Sequence, residues 1–425
     1  MVKKKDKSIY FILFILLLSQ LMGPSVWAET YTYPKLNAES AVLMDAATGQ
    51  ILFEKNMHKR QYPASITKIM TGLLAIEKGN LADSITMSRE AVFSIGRNSS
   101  HIALDVEEDL TLEQALYAIA VASANDAANG IAEHISGSLE SFARLMNERA
   151  IQCGAMDTNF VNAHGLPHEN HYTTAYDMAK IMREAVRNPK FLEIFCEARY
   201  EMPPTNKQEE VRYLKSRNII INGSYECEGI IAGKNGWTSQ ANHTLITAAK
   251  RNDRTLIVVV MNNQNLNNNH EDTVNLLNYG FEDFLDIKID VADFKMIIGD
   301  LNLNNAEDVK VKPAHIVARL LHKNISVHEV EKSYEFLESN GDDSIRALMW
   351  LNLKEPSNFM YKDLGSILVE AEIINGNMSE AEKTAKKVNY FFPGDMGLLF
   401  LGLILAFVRR RSIRKRNKYI FRKPY

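Results

Sequence analysis

Residues 40–56 read Ser-Ala-Val-Leu-Met-Asp-Ala-Ala-Thr-Gly-Gln-Ile-Leu-Phe-Glu-Lys-Asn. Two apolar runs flank Ala47-Thr48-Gly49, so the stretch predicts a β-hairpin with strands over 41–46 and 50–54. Beyond Pro63 the pattern turns helical. An apolar periodicity covers 66–78 and ends at Gly79. The span 112–134 is helical and unusually rich in Ala, which predicts a closely packed, buried helix. Amphipathic helices are expected over 139–153 and 176–187. The pattern then returns to strands at 230–232, 245–249 and 255–262, with Arg251-Asn252-Asp253 as the turn between the last two. The Asn-rich stretch 262–269 reads as a polar loop, and 274–284 as a closing helix. A sheet that takes strands from both ends of a domain, with helices between them, is α+β and not alternating βαβ.

Working outward, the style changes near residue 287. Short alternating runs such as 309–311 and 366–372 predict a small β-rich domain over 286–375, followed by a linker over 376–395. The chain has 425 residues, 46% hydrophobic and 24% charged, which excludes a mainly disordered or fibrous protein. Three cysteines, Cys153, Cys196 and Cys227, exclude a disulfide framework and leave at least one thiol free.

Both ends carry membrane signals. Lys3, Lys4, Lys5 and Lys7 precede an apolar run over 9–18, and Val26-Trp27-Ala28 offers small residues for cleavage. Residues 1–28 therefore read as a signal peptide, with an uncleaved anchor helix as the alternative. At the other end, residues 396–408 are apolar but rise only about 20 Å as a helix, against ~30 Å of hydrocarbon. Extending back to 388 gives a span over 388–408, followed by nine basic residues and no acid in the tail 409–425. That is a stop-transfer pattern with the tail on the cytoplasmic side; a helix lying on the membrane surface is the alternative. The expectation is an exported protein on the outer face of a bacterial membrane, anchored by its C-terminus. Without the signal and the tail, 36 basic residues face 51 acidic ones. Such an acidic body disfavours nucleic-acid binding, whereas the tail suits anionic lipid.

Three short motifs carry chemistry. Pro63-Ala64-Ser65-Ile66-Thr67-Lys68 places Lys68 one helical turn beyond Ser65, on the same face. A Ser hydroxyl becomes a nucleophile when a base takes its proton, and a Lys serves as that base if burial or another cation lowers its pKa. Alone, S-x-x-K also reads as an N-cap beside a solvated Lys. Ser123-Ala124-Asn125 lies in the Ala-rich region, where buried polar groups need partners; local capping is its bland reading. Lys234-Asn235-Gly236-Trp237-Thr238 supplies a second cation and a glycine that lets a backbone approach closely; an exposed turn is its bland reading.

Together, in this order, the three motifs resemble the penicillin-binding protein and serine β-lactamase superfamily, whose elements are S-x-x-K, S-x-N and K-T-G. Ala47–Leu52, the run 63–71, the run 123–128, and Asn162-Ala163-His164-Gly165-Leu166-Pro167 through Asp177 sharpen this. They resemble the low-molecular-weight D-alanyl-D-alanine carboxypeptidases over residues 36–285. The resemblance implies an antiparallel sheet with a helical subdomain over 29–285, the small β-rich C-terminal domain and a C-terminal membrane segment. It implies Ser65 as the acylated nucleophile, Lys68 as its base and Ser123 as a proton relay. Asn125 would hold the Lys68 ammonium and a substrate amide. Lys234 would bind the terminal carboxylate, with Asn235, Gly236, Trp237 and Thr238 lining the same strand. The amides of Ser65 and Trp237 would form the oxyanion hole. Asn162, His164, Gly165 and Arg217-Asn218 are taken as structural. The implied partners are peptidoglycan stem peptides and, as covalent inhibitors, β-lactams; no metal or cofactor enters.

Asn235 departs from the family, where Thr or Ser stands. Asn still donates through its amide, but its reach differs, and its side chain is expected to point into the cleft. Loss of one charge-assisted hydrogen bond costs ~1.5–3 kcal/mol, roughly 10- to 100-fold in rate. A catalytically weakened peptidoglycan-binding protein is therefore the rival reading. A β-lactamase is disfavoured because the sequence offers no convincing E-x-x-x-N element to position a deacylating water.

Overall fold

The computed structural model describes residues 32–291, 294, 309–312, 316–337, 344–354, 359, 361, 363–373 and 390–391. The expected signal peptide and basic tail lie outside them, as does almost all of the apolar segment.

The hairpin forms as β1 (Ser40–Asp45) and β2 (Ile51–Lys55). Asp45 Oδ2 accepts from Thr48 N at 2.8 Å and from Thr48 Oγ1 at 2.6 Å, closing the turn. Gly49 completes it at φ +78°, a region costly for a side chain. A 3₁₀ turn, Ala64–Thr67, runs into helix α1 (Lys68–Lys78). After β3 (Ser84–Thr86) and α2 (Arg89–Phe93), β4 (Asp109–Thr111) leads into α3 (Leu112–Val121). Helices α4 (Asn125–Ser136), α5 (Leu139–Gln152), α6 (Ala175–Ala185) and α7 (Pro189–Phe195) come next. A small hairpin, β5 (Arg199–Met202) and β6 (Arg212–Lys215), precedes the long strands β7 (Ile230–Thr238), β8 (Asn242–Arg251) and β9 (Arg254–Asn263). Helix α8 (Leu266–Glu282) closes the unit.

The first and last strands share one antiparallel sheet in the order β2-β1-β9-β8-β7. Its pleat sends alternate residues to two cores. Ile257, Val259 and Met261 of β9 face the helices of the middle of the chain, and Leu256, Val258 and Val260 face α8. Helix α8 lies close to the sheet because Gly280 has no side chain; a Cβ there would lie 2.6 Å from Leu256 Cδ1 and 2.8 Å from Leu43 Cδ2.

Two expectations from the sequence need correction. The single helix over 112–134 is two helices, broken at residues 122–124, where Ser123 adopts φ +58°. Hydrophobic periodicity runs unbroken through that break because both helices bury Ala. The Asn-rich stretch is not a loop throughout. Asn265 caps α8, its Oδ1 accepting from Asn267 N and Asn268 N, and the helix starts eight residues before the expected position. Asn at an N-cap is a start signal that the low hydrophobicity concealed.

The second unit begins with β10 (Phe284–Asp290) and continues through β11 (Val309–Lys312), β12 (Ile316–His322), β13 (Val330–Phe336), β14 (Ser344–Leu353) and β15 (Asp363–Ile373). β10 pairs with β12, and the others form the order β11-β15-β14-β13. The final strand, β16 (Tyr390–Phe391), pairs with β13 inside the stretch expected as linker and start of the apolar segment. Among the described residues, no helix is long and apolar enough to cross a membrane.

Asp272 fastens the start of the chain to α8. Fully buried, it accepts from Asn37 N at 2.9 Å, Ala38 N at 2.7 Å and Asn263 Nδ2 at 3.0 Å. Asp272→Ala strands two buried donors, Ala38 N and Asn263 Nδ2, and is expected to cost about 3 kcal/mol, read as a lower urea midpoint at unchanged slope.

Candidate active site

The break at residues 122–124, the 3₁₀ turn and the outer strand β7 converge on one cleft. Ser65 sits in the 3₁₀ turn, one residue after Ala64, whose φ of +50° is rare for a residue with a Cβ. Three contacts hold this strained turn. Thr244 Oγ1 donates to Pro63 O at 2.9 Å. A Cβ on Gly165 would lie 1.9 Å from Ala64 O, so the loop backbone presses directly on the turn. A Cβ on Gly236 would lie 2.6 Å from Ser65 N and 2.7 Å from Thr244 Oγ1, so β7 presses from the other side. Gly165 also has φ +89°, so any side chain there is excluded twice over.

Lys68 opens α1 and is fully buried. Its Nζ donates to Asn125 Oδ1 at 2.6 Å, His164 O at 2.8 Å and Ser65 Oγ at 3.3 Å. None of these acceptors is charged. Burial holds its pKa well below the usual lysine value, the Lys234 charge lowers it further, and Asp126 opposes them. Lys234 is also buried. Burial, with the Arg217 charge second, brings its pKa down to about 7. Its Nζ donates to Asn235 O at 2.8 Å. Two lysines with depressed pKa values, Lys68 on the Ser65 hydroxyl and Lys234 near enough for its charge to be felt at Lys68, can serve as a base and an anion site.

Ser123 lies between α3 and α4, and its Oγ is buried with no hydrogen-bond partner among the described residues. An unpaired buried hydroxyl costs stability unless a ligand completes it. Asn125, the first residue of α4, is fixed through its own N–H, which donates to Ser100 O at 2.8 Å.

The structure brings Ser65 and Asn125 together on the Lys68 amine and Gly236 against the Ser65 amide, with Lys234 two residues before Gly236 on β7 and Ser123 two before Asn125. Two positions differ from what the sequence expects. In β7 the pleat puts Asn235 on the face opposite Lys234 and Gly236: its cross-strand partner Leu245 faces the α8 core, and Lys234's partner Ile246 faces the other. The side chain does not leave the strand beside Lys234. It is half-buried and makes no hydrogen bond among the described residues. Thr238 Oγ1 accepts from Ala241 N at 3.0 Å and closes the β7–β8 turn, a structural task. Trp237 between them is 61% exposed, and the same pleat puts its side chain on the face of Asn235.

Two groups of the site lay outside the expected set. The carbonyl of His164 is a direct partner of Lys68, invisible to a search for reactive side chains. Its loop is pinned by His171, whose Nδ1 accepts from Val161 N at 3.1 Å and whose Nε2 lies 2.9 Å from Thr67 Oγ1. Accepting at Nδ1 assigns the proton to Nε2, and burial pushes the ring's pKa down to about 3. Arg217 is the other, felt at Lys234 through its charge although 17 residues earlier in the chain.

The comparisons with known proteins agree with this geometry. A family model described as D-alanyl-D-alanine carboxypeptidase matches residues 28–265. The D-alanyl-D-alanine carboxypeptidase DacF of Bacillus subtilis is 34% identical over 252 residues, 58% of this chain and 63% of that protein; the match thus spans under two thirds of that relative. DacA of Haemophilus influenzae, of the same name, is 31% identical over 317 residues, 71% of this chain and 78% of its own. Among solved structures, penicillin binding protein 5 from Haemophilus influenzae is 27% identical with a TM-score of 0.63, covering 82% of this chain and 100% of that one. With the family model matched over more than half of its length, this chain belongs to the D-alanyl-D-alanine carboxypeptidase family.

Proposed function

We propose that the protein is a serine-type D-Ala-D-Ala carboxypeptidase. It removes the terminal D-alanine of peptidoglycan stem peptides through an acyl-enzyme on Ser65, and β-lactams acylate the same hydroxyl. The observation that carries this reading is the buried Lys68 amine on Ser65 Oγ, held by neutral acceptors beside a second cation.

In this reading neutral Lys68 takes the Ser65 proton as Oγ attacks the penultimate D-alanine carbonyl. The N–H groups of Ser65 and Trp237 receive the developing oxyanion. Ser123 Oγ gives its proton to the leaving nitrogen and regains one from the Lys68 ammonium. The C–N bond breaks, D-alanine leaves, and water hydrolyses the ester by the reverse relay. Lys234, with Arg217 behind it, meets the terminal carboxylate. A bound carboxylate raises the Lys234 pKa above its free value of about 7 and keeps that lysine charged during turnover. The acidic body, the signal-like start and the apolar segment with its basic tail support an exported protein held by its C-terminus at anionic lipid on the outer face of the membrane. The weakened peptidoglycan-binding reading is favoured by Asn235 alone.

Ser65→Ala is expected to abolish penicillin labelling and D-alanine release from diacetyl-Lys-D-Ala-D-Ala, with kcat reduced on the order of 10⁶-fold. A penicilloyl adduct on Ser65→Ala sinks the assignment.

Lys234→Met gives a pH test. Lys68 works as a base when neutral, and the Lys234 charge disfavours its ammonium form. Removing that charge raises the Lys68 pKa, so the acid limb of kcat/KM moves to higher pH. The movement is confined to pH below about 7, where Lys234 is itself charged. An acid limb that stays in place or moves down refutes the coupling.

Asn235→Thr is expected to raise kcat/KM for D-Ala-D-Ala peptides several-fold. β7 is the sheet's outer strand, so a ligand laid along it borders both faces. Thermal stability should stay unchanged, since the amide bonds to nothing among the described residues. A drop in peptide turnover instead marks Asn235 as adapted to a different terminus.

A further inference from the structure

We propose that the Glu108–Arg212 ion pair is a latch that holds the two walls of the catalytic cleft at their working separation. Both act as positioning residues for ligands that span the cleft. The proposal rests on the carboxypeptidase reading, because it needs a substrate that touches both walls.

One wall is helical. Loop 99–108 is tied to the start of α4: Asn125 N donates to Ser100 O at 2.8 Å, and Ile102 N and Leu104 N each donate to Asp126 Oδ2 at 3.2 Å. This is the wall that carries Ser123 and Asn125. The other wall is β7 with Lys234. Against it lies the segment that leaves β6, in which Asn218 covers Gly233; a Cβ on Gly233 would lie 3.3 Å from Asn218 Nδ2. Arg217 belongs to that segment, five residues beyond Arg212.

The β5–β6 hairpin packs on the helical wall, and its second strand runs on through Ser216 and Arg217 to Asn218 against β7. At its base Tyr200 stacks on Tyr117 of α3, with ring centroids 4.2 Å apart. At its far end Arg212 meets Glu108 bidentately, Nη1 to Oε1 at 2.6 Å and Nη2 to Oε2 at 3.0 Å. Thr205 Oγ1 also donates to Oε1 at 2.7 Å, and Asp105 N donates to Oε2 at 2.8 Å. Each carboxylate oxygen thus accepts two bonds. The Glu108 side chain is 0% exposed and that of Arg212 is 12% exposed. Asn206 adds a polar seam between Glu107 O and Asp109 N. A pair so buried, with every acceptor position filled, is rigid in direction, and breaking one partner strands the other. The helical wall is therefore tied at Glu108 to the strand that delivers Arg217 beside Lys234. A ligand with its carboxylate at Lys234 and its amide at Asn125 spans the gap that this tie sets.

The test separates spanning from non-spanning ligands. Wild type, Glu108→Gln, Arg212→Met, Arg212→Lys and the milder Thr205→Val are compared. The readouts are benzylpenicillin acylation, affinity for 3-carboxyphenylboronic acid and for phenylboronic acid, and thermal unfolding. The carboxylated probes reach Lys234, and phenylboronic acid engages Ser65 without it. Glu108→Gln and Arg212→Met are expected to lower penicillin acylation and carboxyphenylboronate affinity tenfold or more, with phenylboronate affinity changed less than twofold. Arg212→Lys, lacking the fork, should fall between them and wild type. Thr205→Val should give the same selectivity at about threefold, and it decides the matter if the first two variants do not fold. Equal loss for both boronates, or no loss for either, overturns the latch. A wild-type protein that fails to form a penicilloyl adduct instead refutes the carboxypeptidase reading itself.

Discussion

A lysine amine buried without a carboxylate partner is the constraint on which the catalytic unit is built. In water Lys68 would be charged at neutral pH; inside the protein its charged form loses solvation and gains only neutral acceptors. Those acceptors come from three distant places: Ser65 one turn back, Asn125 at the start of α4 and the carbonyl of His164. Each element must arrive within hydrogen-bond reach of one nitrogen. The helix break at Ser123 frees the start of α4 to point Asn125 inward. The His171 ring, kept neutral by burial, accepts a backbone hydrogen bond at Nδ1 and holds the His164 loop in place without adding a charge near the amine.

Backbone compression does the second share of positioning. The turn that carries Ser65 has a residue with positive φ at Ala64, and such a conformation persists when its surroundings over-determine it. Gly165 and Gly236 supply that pressure from opposite sides, each at a distance no Cβ could share. A methyl group at either would push the turn away from Lys68 or displace the Ser65 amide. The glycines matter here for what they allow the main chain to approach.

This explains what the sequence made legible. The hairpin over 40–56 and the strands near its C-terminal partners announced an α+β sheet fed from both ends, because β1 and β9 are apolar runs bounded by turn residues. The three motifs pointed to the site because their own residues meet there. Harder to read were groups acting through main chain or at a distance. The His164 carbonyl has no side-chain signature, and the Arg217 charge reaches Lys234 through the fold and not through spacing. The orientation of Asn235 was misread because motif proximity says nothing of pleat: adjacent residues in a strand leave on opposite faces. The Asn-rich helix start and the Ser123 break fail for a related reason. Periodicity reports burial, and burial continues across a break when both flanking helices pack into one core.

The two edges of the main sheet are treated in opposite ways. An unpaired strand edge offers a row of N–H and C=O groups to any extended chain. At the β2 edge the second unit covers it: Tyr361 OH accepts from Glu54 N at 2.7 Å and donates to Glu54 O at 2.8 Å, taking both backbone groups with one side chain. Gln50 does the converse, its amide completing the backbone of Leu320 at 2.6 and 3.0 Å. Among the described residues no strand pairs with the outer edge of β7, the edge that bears Lys234, Gly236 and Trp237. A peptide in extended form can lie along this edge with its scissile carbonyl over Ser65, using main-chain hydrogen bonds common to any sequence. Selectivity then has to come from the groups around that edge: the cations at the carboxylate end, Asn235 on the far face and the exposed Trp237 ring. The β-rich unit thus closes the edge far from Ser65, and the sheet keeps open the one that presses on it.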